Sequence, residues 1–251
     1  MSEVLLEVKD HVAVITLNAP ERRNALNAEM TRLLVEIIEE VDNNKDVGAA
    51  VIQGAGESFC AGADRRVLEN RGQMPTPTAP DDPADGYRAF GRVGEMKVPT
   101  VAAIRGYAVG AGVNLAFATD LRIVAEDARL RSGFLRIGIH PGGGHFVLLG
   151  RTAGREAVSA LGLFGQDMTG KHAAEIGAAW EALPADQVEP RALELATMAG
   201  ADPELARVNV RSFHMELGPP SITWPAAMEM ERSIQTWSLY RREQKAQKAQ
   251  S

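Results

Sequence analysis

Only one cysteine, Cys60, occurs in the chain. That excludes an internal disulfide and any cysteine-ligated metal cluster, and it fits a reducing compartment. No apolar run approaches the length needed to cross a bilayer. Residues Met1 to Leu17 place acidic side chains early and lack a basic stretch followed by an apolar core, so they do not read as a secretory leader. Basic tracts are missing too, apart from a short mixed run at the C-terminus, and the net charge is −6. Such a chain has little with which to track a phosphate backbone, which argues against nucleic acid as a partner. No low-complexity segment and no repeat of clear period occurs. Together these absences give the expectation of a cytoplasmic protein with no metal site.

What remains is an ordinary globular composition, 45% hydrophobic and 24% charged over 251 residues, long enough to bury a large core. Val4 to Val8 and Val12 to Leu17 are β-rich and separated by Lys9-Asp10-His11, which predicts a hairpin. Asn27 stands where a helix would be capped, because Met30, Leu33, Leu34, Ile37, Ile38 and Val41 follow at helical spacing. Asp42-Asn43-Asn44 ends that helix, and a strand at Ala49 to Gln53 opens a β–α alternation. It continues with a helix from about Tyr87 to Met96, strands at Thr100 to Ile104 and Leu121 to Ala125, and a short strand around Arg129 to Ser132. Residues 71–86 hold four prolines and three aspartates and cannot sustain a helix or a central strand. Two readings stand for that loop, a substrate gate and a surface loop. From Arg155 onward the pattern is almost wholly helical, in segments 156–164, 171–177, 186–199 and 204–217 and a last helix from Pro225 toward Arg242. The polar tail from Glu243 to Ser251 is expected to fray.

Two glycine-rich turns carry the chemical signal. Gly106-Tyr107-Ala108-Val109-Gly110-Ala111-Gly112 follows the apolar run ending at Ile104 and leads into an apolar helix. The first N–H groups of such a helix have no partner within it and point at whatever occupies the turn. That arrangement holds anions and developing oxyanions. Upstream, Ser58-Phe59-Cys60-Ala61-Gly62-Ala63-Asp64 follows the buried strand in the same way. Neither turn matches a dinucleotide or P-loop pattern. Two turns that each offer one N–H suit a carbonyl oxygen that becomes negative in a transition state.

Four stretches, Asn18 to Asn27, Phe59 to Asp64, Ile104 to Asp120 and Gly138 to Gly144, together with the helical residues Met168 to Trp180, occur in a familiar order. On these the chain resembles the crotonase superfamily, the enoyl-CoA hydratase/isomerase family, over nearly its whole length. The resemblance implies an α/β fold, a crotonase-like spiral of β-β-α turns with a C-terminal helical trimerisation region. It implies a spiral core with the acyl-CoA site over residues 1–195, a helical region over 196–251, and a homotrimer or hexamer. It further implies a role in fatty acid metabolism, an acyl-CoA thioester as substrate, no cofactor beyond the CoA of that substrate, and an enolate-like anion held by two backbone N–H groups. Carried over by position, those donors are Ala63 and Ala111. The CoA moiety would lie along Arg22-Arg23-Asn24-Ala25-Leu26 and along Ala61 to Asp64, with Arg22 or Arg23 as phosphate partner and Ala25, Ala61 and Asp64 lining its path. For each arginine the alternative is a solvated loop side chain.

One departure decides the mechanism. Hydration of an enoyl thioester in this family relies on two glutamates that share a water and divide the acid and base roles. Here Asn114 stands at the first position and Phe134 at the second. Asparagine can orient a water or hold a carbonyl but exchanges no proton near neutral pH, and phenylalanine only shapes the pocket. Standard hydration is therefore doubtful. A non-catalytic acyl-CoA-binding protein, and a decarboxylase, hydrolase or isomerase using histidine or tyrosine, are the alternatives, with His140, His145 and Tyr87 as candidate acids or bases. Asp64 and Asp120 read as structural, Arg131 and Arg136 as partners of a substrate carboxylate or of a surface acid, and Trp180, Trp224 and Trp237 as packing or subunit-contact residues.

Overall fold

The hairpin forms where the alternation places it: β1 (Val4–Lys9) pairs antiparallel with β2 (Val12–Leu17). In this computed structural model, residues 2–64, 86–217 and 224–248 are described. Asn27 caps α1 (Ala28–Asn43) by accepting the Met30 N–H at 2.7 Å, and that helix lays Met30, Leu34, Ile38 and Val41 against the sheet. Parallel strands β3 (Ala49–Gly54) and β4 (Thr100–Ile104) follow, with α2 (Gly86–Gly94) before β4. Both strands are nearly continuous apolar runs, as strands covered on both faces must be.

After β4 the chain makes β5 (Tyr107–Val109), α3 (Ala111–Ala118), β6 (Leu121–Ala125) and β7 (Arg129–Arg131). Then come α4 (His145–Val158), β8 (Asp167–Thr169), α5 (Gly170–Glu175), β9 (Glu181–Leu183), α6 (Val188–Gly200), α7 (Pro203–Glu216) and α8 (Trp224–Lys248). The larger sheet has the order β1-β2-β3-β4-β6-β9 and the smaller one β5-β7-β8. Chain segments thus alternate between two sheets, and the passage from β4 to β5 crosses the turn at Gly106. Helix α6 packs across β3, β4 and β6 with Val188, Ala192 and Ala196.

The structure corrects several expectations. Strand β5 lies within what reads as one glycine turn, and strands β8 and β9 fall in the stretch expected to be helical. Each is three residues long, too short for an alternation to register. Helix α4 breaks at Gly154, φ 77° and ψ 170°, and its second part, in the stretch expected to be helical from residue 156, continues into a π turn at Ser159–Leu163. The residues expected to fray remain helical to Lys248, because the run Glu243-Gln244-Lys245-Ala246-Gln247-Lys248 consists of strong helix formers. The boundary expected after residue 195 falls inside α6. Of the proline-rich loop, residues 71–85 lie outside the described residues.

Candidate active site

Two turns are fastened side by side. Phe59 N–H donates to Arg105 O at 2.9 Å, Cys60 N–H to Tyr107 O at 3.1 Å, and Val109 N–H back to Cys60 O at 3.0 Å. Gly62 sits at φ +91°, and a β-carbon there would come within 2.5 Å of Val109 O. Gly110 adopts φ 53°, ψ −112°, a conformation closed to residues with a side chain. The sharp corner at Gly110 turns β5 into α3 and leaves Ala111 as the first helical residue. Among the described residues nothing accepts the N–H of Ala63 or of Ala111. Both residues line one cavity of about 310 Å³, a volume within the range of small-ligand sites.

A second wall of that cavity is polar but holds no carboxylate among its described residues. Asn114, on the inward face of α3, donates from Nδ2 to Gly142 O at 2.9 Å. Its Oδ1 lies 2.7 Å from His145 Nδ1, and His145 Nε2 lies 2.9 Å from Ser132 Oγ. The proton positions follow from the chemistry of the groups. A carbonyl only accepts, so Gly142 O fixes which end of the Asn114 amide faces it, and Oδ1 then faces the imidazole. An amide oxygen also only accepts, so His145 carries its proton on Nδ1. Nε2 is left as the acceptor, and Ser132 donates its hydroxyl proton to it. Burial pushes the His145 pKa down to about 3, so the ring is neutral throughout the physiological range. Phe134 packs edge-on against His145 at 5.1 Å between ring centroids and shields the ring from the cavity.

The remaining wall comes from α8. Gln235 accepts from the Tyr87 hydroxyl and donates to His140 O at 3.2 Å, and Arg232 lies over the Tyr87 ring at 4.7 Å. Glu231 accepts from Gly144 N–H at 2.7 Å and His145 N–H at 3.1 Å, closing the N-terminus of α4. Desolvation pushes its pKa up to about 7, against the opposing pull of those N–H groups. Trp224 donates to Gly143 O at 3.0 Å, so it is a packing residue, while Trp180 is exposed.

The candidates read from the sequence separate accordingly. Ala63, Ala111, Asn114, Phe134 and Tyr87 meet at the cavity, with Ala61 beside them. His145 stands behind Asn114 and Ser132, while His140, whose Nδ1 lies 2.6 Å from Pro141 O, is not among the residues lining the cavity. Arg22 is committed elsewhere: it forms a two-pronged pair with Glu3 at 2.9 and 2.6 Å, which removes it as a free phosphate partner. Arg23 is exposed, with its guanidinium 5.9 Å from the Tyr107 ring centroid. Its left-handed conformation, φ 54°, is held by the fully buried Asn24, which accepts from Ala19 N–H at 2.9 Å and donates to Ser58 O at 2.8 Å. Ala25 is half-buried beside it, and Asp64 is buried with its N–H on Leu26 O. Residues 65–85, which follow it, lie outside the described residues. Asp120 bonds Thr100 and His214, a structural role. Arg131 and Arg136 both pair with Asp167. Burial pushes the Cys60 thiol up to about 12, and it donates to Asn24 O at 3.1 Å, so it is no nucleophile.

Ser132, Glu231 and Gln235 were not legible as site residues. Ser132 follows directly after a three-residue strand, and the two α8 residues reach the site from more than 80 positions away.

Comparison with known proteins fits this geometry. Residues 7–238 match a family model described as enoyl-CoA hydratase/isomerase. EchA14 of Mycobacterium tuberculosis, described as a probable enoyl-CoA hydratase, is 40% identical over 205 residues, covering 80% of this chain and 76% of that protein. The 1,2-epoxyphenylacetyl-CoA isomerase of Escherichia coli is 33% identical over 81% of this chain and 78% of its own. The crystal structure of an enoyl-CoA hydratase/isomerase from Pseudoalteromonas atlantica superposes with a TM-score of 0.83 over 94% of this chain and 91% of that one, at 23% identity.

Proposed function

The chain belongs to the enoyl-CoA hydratase/isomerase family, within the crotonase superfamily, and from that premise we propose an enzyme whose acyl-CoA thioester seats its carbonyl oxygen between the N–H groups of Ala63 and Ala111. The observation that carries this reading is the pair of fastened turns, which offers two unpartnered N–H groups to one cavity. Whether the carbonyl develops into an enolate or a tetrahedral oxyanion, the negative oxygen ends in the same place. Losing one such donor typically costs about 100- to 1,000-fold in rate.

Arg23, Ala25, Ala61 and Asp64 bracket the CoA path in this proposal, with Arg23 in place of Arg22. Asn114 and Phe134 leave the acyl pocket without the two carboxylates of hydration. A positioned acid or base contributes typically about 100- to 10,000-fold, so hydration here is expected at least about 100-fold slower than in a two-glutamate hydratase. We carry the homotrimer or hexamer forward in the same proposal. Exposed Met198, Val208, Phe213 and Met215 on α6 and α7 give an apolar face that supports it.

The test is crotonyl-CoA binding by calorimetry, run beside the loss of its conjugated absorbance. Binding with hydration at least about 100-fold below a two-glutamate hydratase is the expected result. Hydration at the rate of that comparison enzyme would refute the importance of Asn114 and Phe134, and absence of thioester binding would refute the site.

A further inference from the structure

Ser132, His145 and Asn114 form a hydrogen-bonded line that ends at the cavity wall. Among them only Ser132 both lines the cavity and carries an oxygen able to bond covalently to a carbonyl carbon. Its proton is committed to Nε2, by the chain of donors and acceptors that begins at Gly142 O, so the lone pairs of Oγ are left for whatever occupies the cavity. A serine whose proton is held by a neutral imidazole, itself oriented by a third side chain, is the general form of an activated hydroxyl nucleophile.

Position relative to the turns supports the same role. Strands β5 and β7 are parallel with Val109 opposite Arg131, and Gly110 N–H donates to Arg131 O at 2.9 Å. The next residues along, Gly110 and Ser132, adjoin just past the end of the ladder, where a β-carbon built on Gly110 would lie 3.4 Å from Ser132 O. Ala111, with its free N–H, is one residue beyond. Ala111 and Ser132 line the same cavity from adjoining chain segments.

We propose that Ser132 attacks the thioester carbonyl, making this chain an acyl-transferring thioesterase with a Ser132–His145–Asn114 relay. The proposal rests on the thioester site described above and specifies its reaction. The Oγ–C bond forms as the hydroxyl proton passes to His145 Nε2. The C–S bond of the tetrahedral adduct then breaks, and the sulfur leaves with that proton as free CoA, so Ser132 holds the acyl group as an ester. Water adds to the ester carbon, giving a proton to Nε2, and Oγ departs with it to release the carboxylic acid.

Asn114 supplies no negative charge to an imidazolium, so turnover is slow. Replacing the carboxylate of a serine protease triad by an amide costs about 10,000-fold, largely because the imidazole takes the wrong tautomer. Here the bond from Nδ2 to Gly142 O keeps the amide oxygen toward Nδ1, and the productive tautomer is retained.

Butyryl-CoA and benzoyl-CoA, followed by thiol release and by intact mass at short times, supply the test. Expected are free CoA, a transient mass increase equal to the acyl group, and its location on the peptide containing Ser132. A fluorophosphonate should label the same residue in the unsubstituted protein, a measurement that needs no variant to fold. Ser132→Ala should lower thiol release by at least about 1,000-fold with thioester binding by calorimetry unchanged. If the protein binds thioester but shows neither adduct nor label, or if Ser132→Ala releases thiol at the original rate, the nucleophile is overturned while the binding site stands. Absence of thioester binding in the unsubstituted protein overturns both.

Discussion

Two helices begin beside the same cavity, and their N-termini are treated in opposite ways. At α3 the corner is made by Gly110, and nothing among the described residues accepts from Ala111. At α4 the corner is made by Gly143 and Gly144 at φ +76° and +73°, and the N–H groups of Gly144 and His145 are both taken by Glu231. Both termini attract negative charge for the same reason, unpaired N–H groups aligned with the helix dipole. One opens on the cavity and the other is filled by the protein. A glycine corner before a helix therefore does not reveal an anion site; the absence of an internal acceptor does.

The largest effect should come from breaking the open terminus. Gly110→Ala forces a side chain into φ 53°, ψ −112°, which typically costs about 1–3 kcal/mol of stability and swings the Ala111 N–H off its aim. Thioester turnover is expected to fall about 100- to 1,000-fold beyond any loss of folded protein, read from rates normalised to active-site occupancy.

The closed terminus is tested by pH, because its two buried groups titrate with opposite consequences. His145 has a folded pKa lowered from 6.5 to about 3, so its contribution is present above pH 6.5 and lost as pH falls toward 3, up to about 5 kcal/mol. Glu231 has a folded pKa raised from 4.5 to about 7, so its contribution is full below pH 4.5 and lost as pH rises through 7, up to about 3 kcal/mol. Between pH 4.5 and 6.5 the two slopes oppose each other. Urea unfolding across pH 4 to 8 should show Glu231→Gln gaining on the parent as pH rises and His145→Gln gaining as pH falls. Parallel curves would mean that neither group is desolvated as described.

The smallest effect sharpens the contrast from outside both termini. Asp167 holds Arg131 and Arg136 at the mouth of the cavity, in a partly exposed pair. Asp167→Asn is expected to change stability by less than about 1 kcal/mol and to raise affinity for an acyl group that ends in a carboxylate. Calorimetry with glutaryl-CoA against butyryl-CoA reads the second effect.

The same contrast explains what was legible in the sequence. Glycine turns announce themselves because a positive φ is a local demand, which Gly62 and Gly110 meet within their own turns. Asn27 as a cap is equally local. Glu231 is not legible, since an acid on a long polar helix acquires its meaning only when the fold brings it to residues 86 positions upstream. Ser132 is hidden for a different reason: its place beside Gly110 is set by ladder register between two three-residue strands. Arg22 reads as a phosphate ligand in a basic turn, and only the position of Glu3 shows that its charge is already matched. His145 stands out as titratable, but burial, which the sequence does not show, decides that it stays neutral.

The bond from Glu231 to the start of α4 also sets an order of events during synthesis. A ribosome adding about 5–20 residues per second needs on the order of 10 s to travel from His145 to Glu231. Over that interval the start of α4 lacks its carboxylate acceptor and the cavity lacks the wall carrying Gln235. The proposed thioester site is therefore enclosed only once α8 has been made, although both of its fastened turns lie more than 100 residues upstream.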